Sequence, residues 1–137
     1  NIGGVGSQSY EKKLKQLSKG GDINFLGYVS DRESFFNSID FFVFPSYSEG
    51  LGLVLLEAMS NGVVCLTRDI DPMNKIISHG INGYLFKNND DLKEIFLSIL
   101  QMGDSEKDNI IKNATETIEN SYSIIQMYSR IEEIYKT

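Results

Sequence analysis

Short apolar runs alternate along this chain with amphipathic stretches, at spacings that predict strands and helices in turn. The purest run is Phe41-Phe42-Val43-Phe44, the pattern of a parallel strand covered on both faces. Further strands are predicted over 23–26, 63–67 and 83–86, with Ile2 as the last residue of another. Between them the spacing predicts a helix over 9–19 that aligns Tyr10, Leu14 and Leu17, and a short one presenting Phe35, Phe36 and Ile39. Others are expected over 52–61, over about 72–78, and from Asp90 with Leu92, Ile95, Phe96 and Ile99 inward. Ser30-Asp31-Arg32-Glu33 reads as a capping box and Asp90 as an N-cap. The last third is helical, with Ile110, Ile111, Ala114 and Ile118 on one side. A final stripe from Ile124 through Met127, Tyr128, Ile131 and Ile134 to Tyr135 is best explained as core packing. The alternation predicts an α/β chain with a doubly wound parallel sheet and C-terminal helices, forming a single domain over 1–137.

The chemistry concentrates where the purest strand ends. Pro45 stops it, and Ser46-Tyr47-Ser48-Glu49-Gly50-Leu51-Gly52 leads into the helix that begins near Leu53. Gly50 and Gly52 let the backbone approach a ligand and take up φ > 0, and Asn61-Gly62 supplies a C-terminal stop. A helix start at the carboxyl end of a parallel strand directs amides at the place where such sheets bind ligands, which suits a phosphate or diphosphate. Backbone amides from Gly50 to Leu53 are therefore the first candidates for anion contact. Glu49 and Glu57 flank them, and a carboxylate accepts hydrogen bonds from paired hydroxyls. The helix face Leu53, Leu56, Met59 and Ser60 is apolar or small, so Glu57 stands in an otherwise buried helix.

These residues carry a resemblance. Pro45-Ser46 through Gly62, with seven residues between Glu49 and Glu57, resembles the donor-site signature of retaining group 1 glycosyltransferases of the GT-B fold. Ile23 to Ser30 and Asn82 to Phe86 resemble that family's flanking strands. The resemblance covers nearly the whole chain, but only the carboxyl-terminal, Rossmann-like donor-binding half of the two-domain architecture. It implies a nucleotide-diphosphate sugar as donor substrate, transfer of a hexosyl unit with retention, and no cofactor or obligatory metal. It implies that Glu57 holds the ribose hydroxyls and that Glu49, the catalytic candidate, contacts the donor sugar near its anomeric carbon. Ser46 lines the phosphate side, Tyr28 and Val29 lie where the family's main chain meets the nucleobase edge, and Gly4 comes near the donor. A carbohydrate or lipid-linked acceptor would be met through an N-terminal domain that this segment lacks. Cytoplasmic localisation follows, with a peripheral place at the inner membrane face as an option for the full-length protein.

Composition narrows the alternatives. A net charge of −6 without a basic run argues against nucleic acid. There is no apolar run near the roughly 20 residues of a transmembrane helix, and no signal peptide is evident. The single cysteine, Cys65, lies in an apolar run and reads as a small core residue, in keeping with a reducing compartment. Gly3-Gly4-Val5-Gly6 lacks the third glycine of a dinucleotide fingerprint. His79 has no second ligand at metal spacing and reads as surface or cap, and Asp69-Ile70-Asp71 sits too late in the sheet for a metal motif.

The chain departs from the family pattern at Val64, where proline is usual, and at Asn74, near the place of an acid. The family's basic pair for the leaving diphosphate lies upstream of Ile2, so the segment alone is expected to be inactive. Two other readings stay open: a nucleotide-sugar epimerase of the same fold, and a non-catalytic nucleotide-sugar-binding subunit.

Overall fold

The computed structural model describes residues 2–3, 8–17, 21 and 23–123. Gly4 and the stripe from Ile124 to Tyr135 lie outside them. The chain divides into two compact units, Asn1–Phe35 and Phe36–Thr137.

In the first unit, β1 (Ile2–Gly3) pairs in parallel with β2 (Phe25–Gly27), and α1 (Gln8–Leu17) makes the crossover. Lys15 Nζ lies 5.4 Å from the centre of the Phe25 ring. The helix α2 (Arg32–Asn37) opens on Asp31 rather than on a Ser30–Glu33 box. Asp31 Oδ1 accepts from the Ser34 amide at 3.0 Å and Oδ2 from the Ser34 hydroxyl at 2.7 Å. Both bonds favour the charged carboxylate and hold its pKa below the usual value.

Among the described residues of the second unit, three parallel strands lie in the order β3 (Phe41–Phe44), β4 (Val64–Arg68), β5 (Tyr84–Phe86). Phe41 to Phe44 register against Val64 to Thr67, and Leu66 to Arg68 against Tyr84 to Phe86. Among the described residues four helices accompany them: α3 (Leu53–Ser60), α4 (Met73–Ile76), α5 (Asn89–Ile99) and α6 (Asp104–Ser121). The strand covered on both faces is β4, buried at every position. β3 is only half-buried, with Val43 36% exposed, because it sits at the edge of this sheet. Its alternate residues still serve two faces, as strand geometry requires. Phe42 stacks on Phe44 at 5.8 Å and meets Phe36 edge-on at 5.4 Å, while Phe41 meets Phe96 of α5 at 6.0 Å. Leu92, Ile95 and Phe96 pack on the buried cluster Leu66, Phe86 and Ile99, as the helical spacing predicts. The α5 cap is Asn88, whose side chain accepts from the amides of Asp90 (3.0 Å) and Asp91 (2.9 Å), so Asp90 belongs to the first turn.

Cys65 is fully buried in β4, and burial pushes its thiol up to about 12 from 9.0. The neutral thiol is the form the fold accepts, so its contribution is complete below the unfolded-state value. That contribution fades as pH rises from about 9 to about 12. Denaturant titrations across that range are expected to show a shallower alkaline loss of stability for Cys65→Ala than for the native chain. An identical slope in both would remove the thiol as a cause.

Candidate functional site

The exit of β3 leads through residues 45–52 into α3, at the carboxyl edge of the parallel sheet. Gly52 is the N-cap of α3 and takes left-handed backbone angles, φ 68° and ψ 43°. Only glycine adopts this region without a Cβ penalty. Its carbonyl accepts from Leu55 (2.8 Å) and Leu56 (3.2 Å), so the amides of Leu53 and Val54 precede the intrahelical ladder. Among the described residues no side chain caps this end. A Cβ on Gly52 would overlap Met73 Cε and stand 3.0 Å from Met73 Sδ, so α4 packs directly beneath the turn. Gly50 differs: its φ is not positive, and a Cβ there would meet nothing within 4 Å. The expected use of positive φ therefore applies to Gly52 alone.

The other end of α3 closes as expected. Gly62, at φ 72°, donates to the Met59 carbonyl (3.2 Å), and Val63 donates to that of Ala58 (3.2 Å). This paired pattern is a Schellman motif. Both ends of the helix are thus set by glycine, which fixes where Glu57 stands between them.

The buried face of α3 is Leu55, Ala58 and Met59, each 0% exposed. This corrects the expected face: Leu53 is 62% exposed, Leu56 half-buried and Ser60 exposed. Once the helix starts at Leu53, the i, i+3, i+4 set that meets β4 runs from Leu55. Glu57 lies beside that face, half-buried, with Oε2 buried. Glu49 and Ser46 are half-buried in the loop, whereas Gly50 and Leu51 are exposed. One strand–loop–helix passage thus brings together Ser46, Glu49, Gly50, Leu51, Gly52, Leu53 and Glu57. Tyr28, 74% exposed, and Val29, half-buried, follow β2 in the other unit.

The end of β4 holds the exits of its neighbours. Thr67 Oγ1 donates to the Phe44 carbonyl at 3.1 Å. Arg68, 8% exposed, donates from Nε to the Pro45 carbonyl (3.4 Å) and from Nη1 to the Lys87 carbonyl (3.0 Å). Its guanidinium carbon lies 3.9 Å from the Tyr47 ring centre and 5.2 Å from that of Phe86. Residue order gives no sign that Arg68 or Met73 meets this passage, and Tyr47 stands in it with no role assigned. The only local signal is a cation closing an apolar strand, Val63 to Arg68.

The other polar groups considered as metal ligands have structural employment. Asp69 Oδ1 accepts from Asn74 Nδ2 at 3.1 Å, and Asp71 pairs with Lys75 at 2.6 Å. His79 Nδ1 accepts from the Leu85 amide at 3.1 Å, and its ring meets Tyr84 edge-on. Among the described residues no group of three or more His, Cys, Asp or Glu is placed to hold a metal ion. No helix among them is long and apolar enough to cross a membrane.

Residues 2–117 match the family described as Glycosyl transferases group 1. A UDP-Gal:alpha-D-GlcNAc-diphosphoundecaprenol alpha-1,3-galactosyltransferase of Escherichia coli is 30% identical over 111 residues, 80% of this chain and 28% of that protein. Alr3699/HepE of Anabaena, solved with UDP and glucose, superposes with a TM-score of 0.87 at 22% identity, over 98% of this chain and 39% of that one. The C-terminal domain of the group 1 protein LpcC of Francisella tularensis gives 0.72 at 26% identity, over 85% and 64%. The chain spans under a third of that curated Escherichia coli relative. Parallel sheets with flanking helices agree with the fold of these neighbours, and the family match over residues 2–117 shows that the chain belongs to the group 1 glycosyltransferases.

Proposed function

We propose that this chain is the donor-binding part of a retaining transferase that moves a hexosyl unit from a nucleotide-diphosphate sugar. One observation carries the reading: α3 starts on a left-handed Gly52 at the carboxyl edge of the sheet, with half-buried Glu49 and Glu57 on either side. Amides of Gly50 to Leu53 bind the diphosphate, aided by the positive end of α3. Ser46 lines the phosphate side. Glu57 accepts from the ribose hydroxyls, and Glu49 from the sugar hydroxyls beside the reacting carbon. Tyr28, Val29 and Gly4 are assigned to the nucleobase and donor side. No resident metal or other cofactor is required by this arrangement.

The acceptor belongs to the length of the relatives that this chain does not span. A lipid-linked acceptor, as in the name of the Escherichia coli relative, would place the whole protein at the inner membrane face. A buried free thiol fits a reducing, cytoplasmic setting.

Calorimetric titration with UDP, GDP and ADP tests the reading. One of the three is expected to bind, and Glu57→Ala to weaken it by about 1–3 kcal/mol, because a buried acceptor is removed. A folded chain that binds none of them would overturn the assignment.

A further inference from the structure

Tyr47 is 80% exposed, yet its ring is held by a residue that is almost fully buried. Arg68 lies beneath one face at 3.9 Å, and its remaining polar contacts run to the carbonyls of Pro45 and Lys87. Among the described residues no carboxylate pairs with this guanidinium. Burying a cation in this way is costly unless its hydrogen bonds and ring contacts offset the lost water. Three chain segments leaving the carboxyl edge of the sheet are joined at this one side chain: the turn after β3, the end of β4 and the residue after β5. The face of the Tyr47 ring opposite the cation is open to solvent.

We propose that Tyr47 is a stacking platform for a pyranose ring, and that Arg68 is the positioning residue that holds it flat. The inference rests on the donor-binding reading above and adds a contact to the same loop. The axial C–H groups of a pyranose carry slight positive charge, which suits the negative face of an aromatic ring. Two residues along, Glu49 offers the complementary chemistry, a carboxylate for the hydroxyls at the ring's rim. Aromatic face and carboxylate together describe a sugar, whereas a phosphate would use neither. A donor sugar and an acceptor sugar share this chemistry, and the two are separated by experiment.

The chain contains no tryptophan, so Tyr47→Trp creates a single reporter at the platform. Its emission is followed with the nucleoside diphosphate that the chain binds, with the matching glucose, galactose and N-acetylglucosamine nucleotides, and with methyl α-glucoside alone. A response to a sugar nucleotide but not to the bare diphosphate supports a donor sugar. A response to the glucoside supports an acceptor sugar. In calorimetry, Tyr47→Ala and Arg68→Lys are each expected to weaken the responding saccharide about 10-fold while leaving the diphosphate unchanged, and Tyr47→Phe to retain it. A merely structural Arg68 would shift both ligands together. The platform is overturned if no saccharide moves the reporter, or if Tyr47→Ala leaves every saccharide affinity as it was. Absence of nucleotide binding in the native chain overturns the donor reading instead, and the glucoside arm still decides this one.

Discussion

Replacing Gly52 by alanine is expected to destabilise the chain by about 2–4 kcal/mol and to weaken nucleotide binding in the fraction that remains folded. Two effects combine. A non-glycine residue at φ 68° pays about 1–2 kcal/mol for crowding its own carbonyl. The added methyl also meets Met73, fully buried in α4, and overpacking of this kind costs about 1–3 kcal/mol. Methionine bends more readily than most core residues, so the steric part falls at the low end of that range. The parts can be separated. In a Met73→Leu background, which removes the terminal methyl nearest to Gly52, the alanine substitution is expected to show only the backbone part. Urea titrations of the four chains measure this. Equal losses in both backgrounds would mean that Met73 does not support the turn.

Gly50→Ala provides the contrast. That position has an ordinary φ and open space beside it, so the folded chain has no internal need for glycine there. A stability change near zero is expected. If the loop nevertheless requires glycine for binding, the requirement comes from the ligand's side.

Much of this site could be read from residue order because its parts are local. Proline ends a strand, glycine starts and stops a helix, and a carboxylate in an apolar stretch stands out. The failures were also physical. Leu53-Val54-Leu55-Leu56 is four apolar residues in a row, and such a run carries no phase. The buried set Leu55, Ala58 and Met59 emerges only once Gly52 has chosen the starting angle. Around α5, Asn88, Asn89, Asp90 and Asp91 are all capable caps, and extended backbone angles at Asn88 select it over Asp90. Similarly, Ser30 and Asp31 compete at α2, and the Asp31 carboxylate reaches both donors of Ser34. Arg68 belongs to another class. Its partners, Pro45, Tyr47, Phe86 and Lys87, are up to 23 residues away, and no local pattern encodes their meeting. Parallel pairing of β3, β4 and β5 creates it.

Glu49→Gln is expected to separate chemistry from binding. Glutamine keeps the size of the side chain and one acceptor oxygen, but removes the negative charge. On the proposed reading Glu49 meets the sugar beside the carbon where positive charge develops as the diphosphate leaves, while Glu57 reads the ribose. Fixed charge aimed at a developing charge contributes in the transition state more than in the ground state. Affinity for the bare nucleoside diphosphate should therefore be unchanged in Glu49→Gln and reduced in Glu57→Ala. In a protein that carries this chain together with its acceptor-binding part, Glu49→Gln is expected to lower kcat about 10²- to 10³-fold with KM little altered. The chain by itself, offered donor and acceptor, should transfer nothing. A Glu49→Gln enzyme with native kcat would remove Glu49 from the chemistry and leave it, at most, a ligand for the sugar. A gain of diphosphate affinity in that variant would instead place Glu49 with the phosphates, where its negative charge opposes binding, so the two outcomes point to different sides of the same loop.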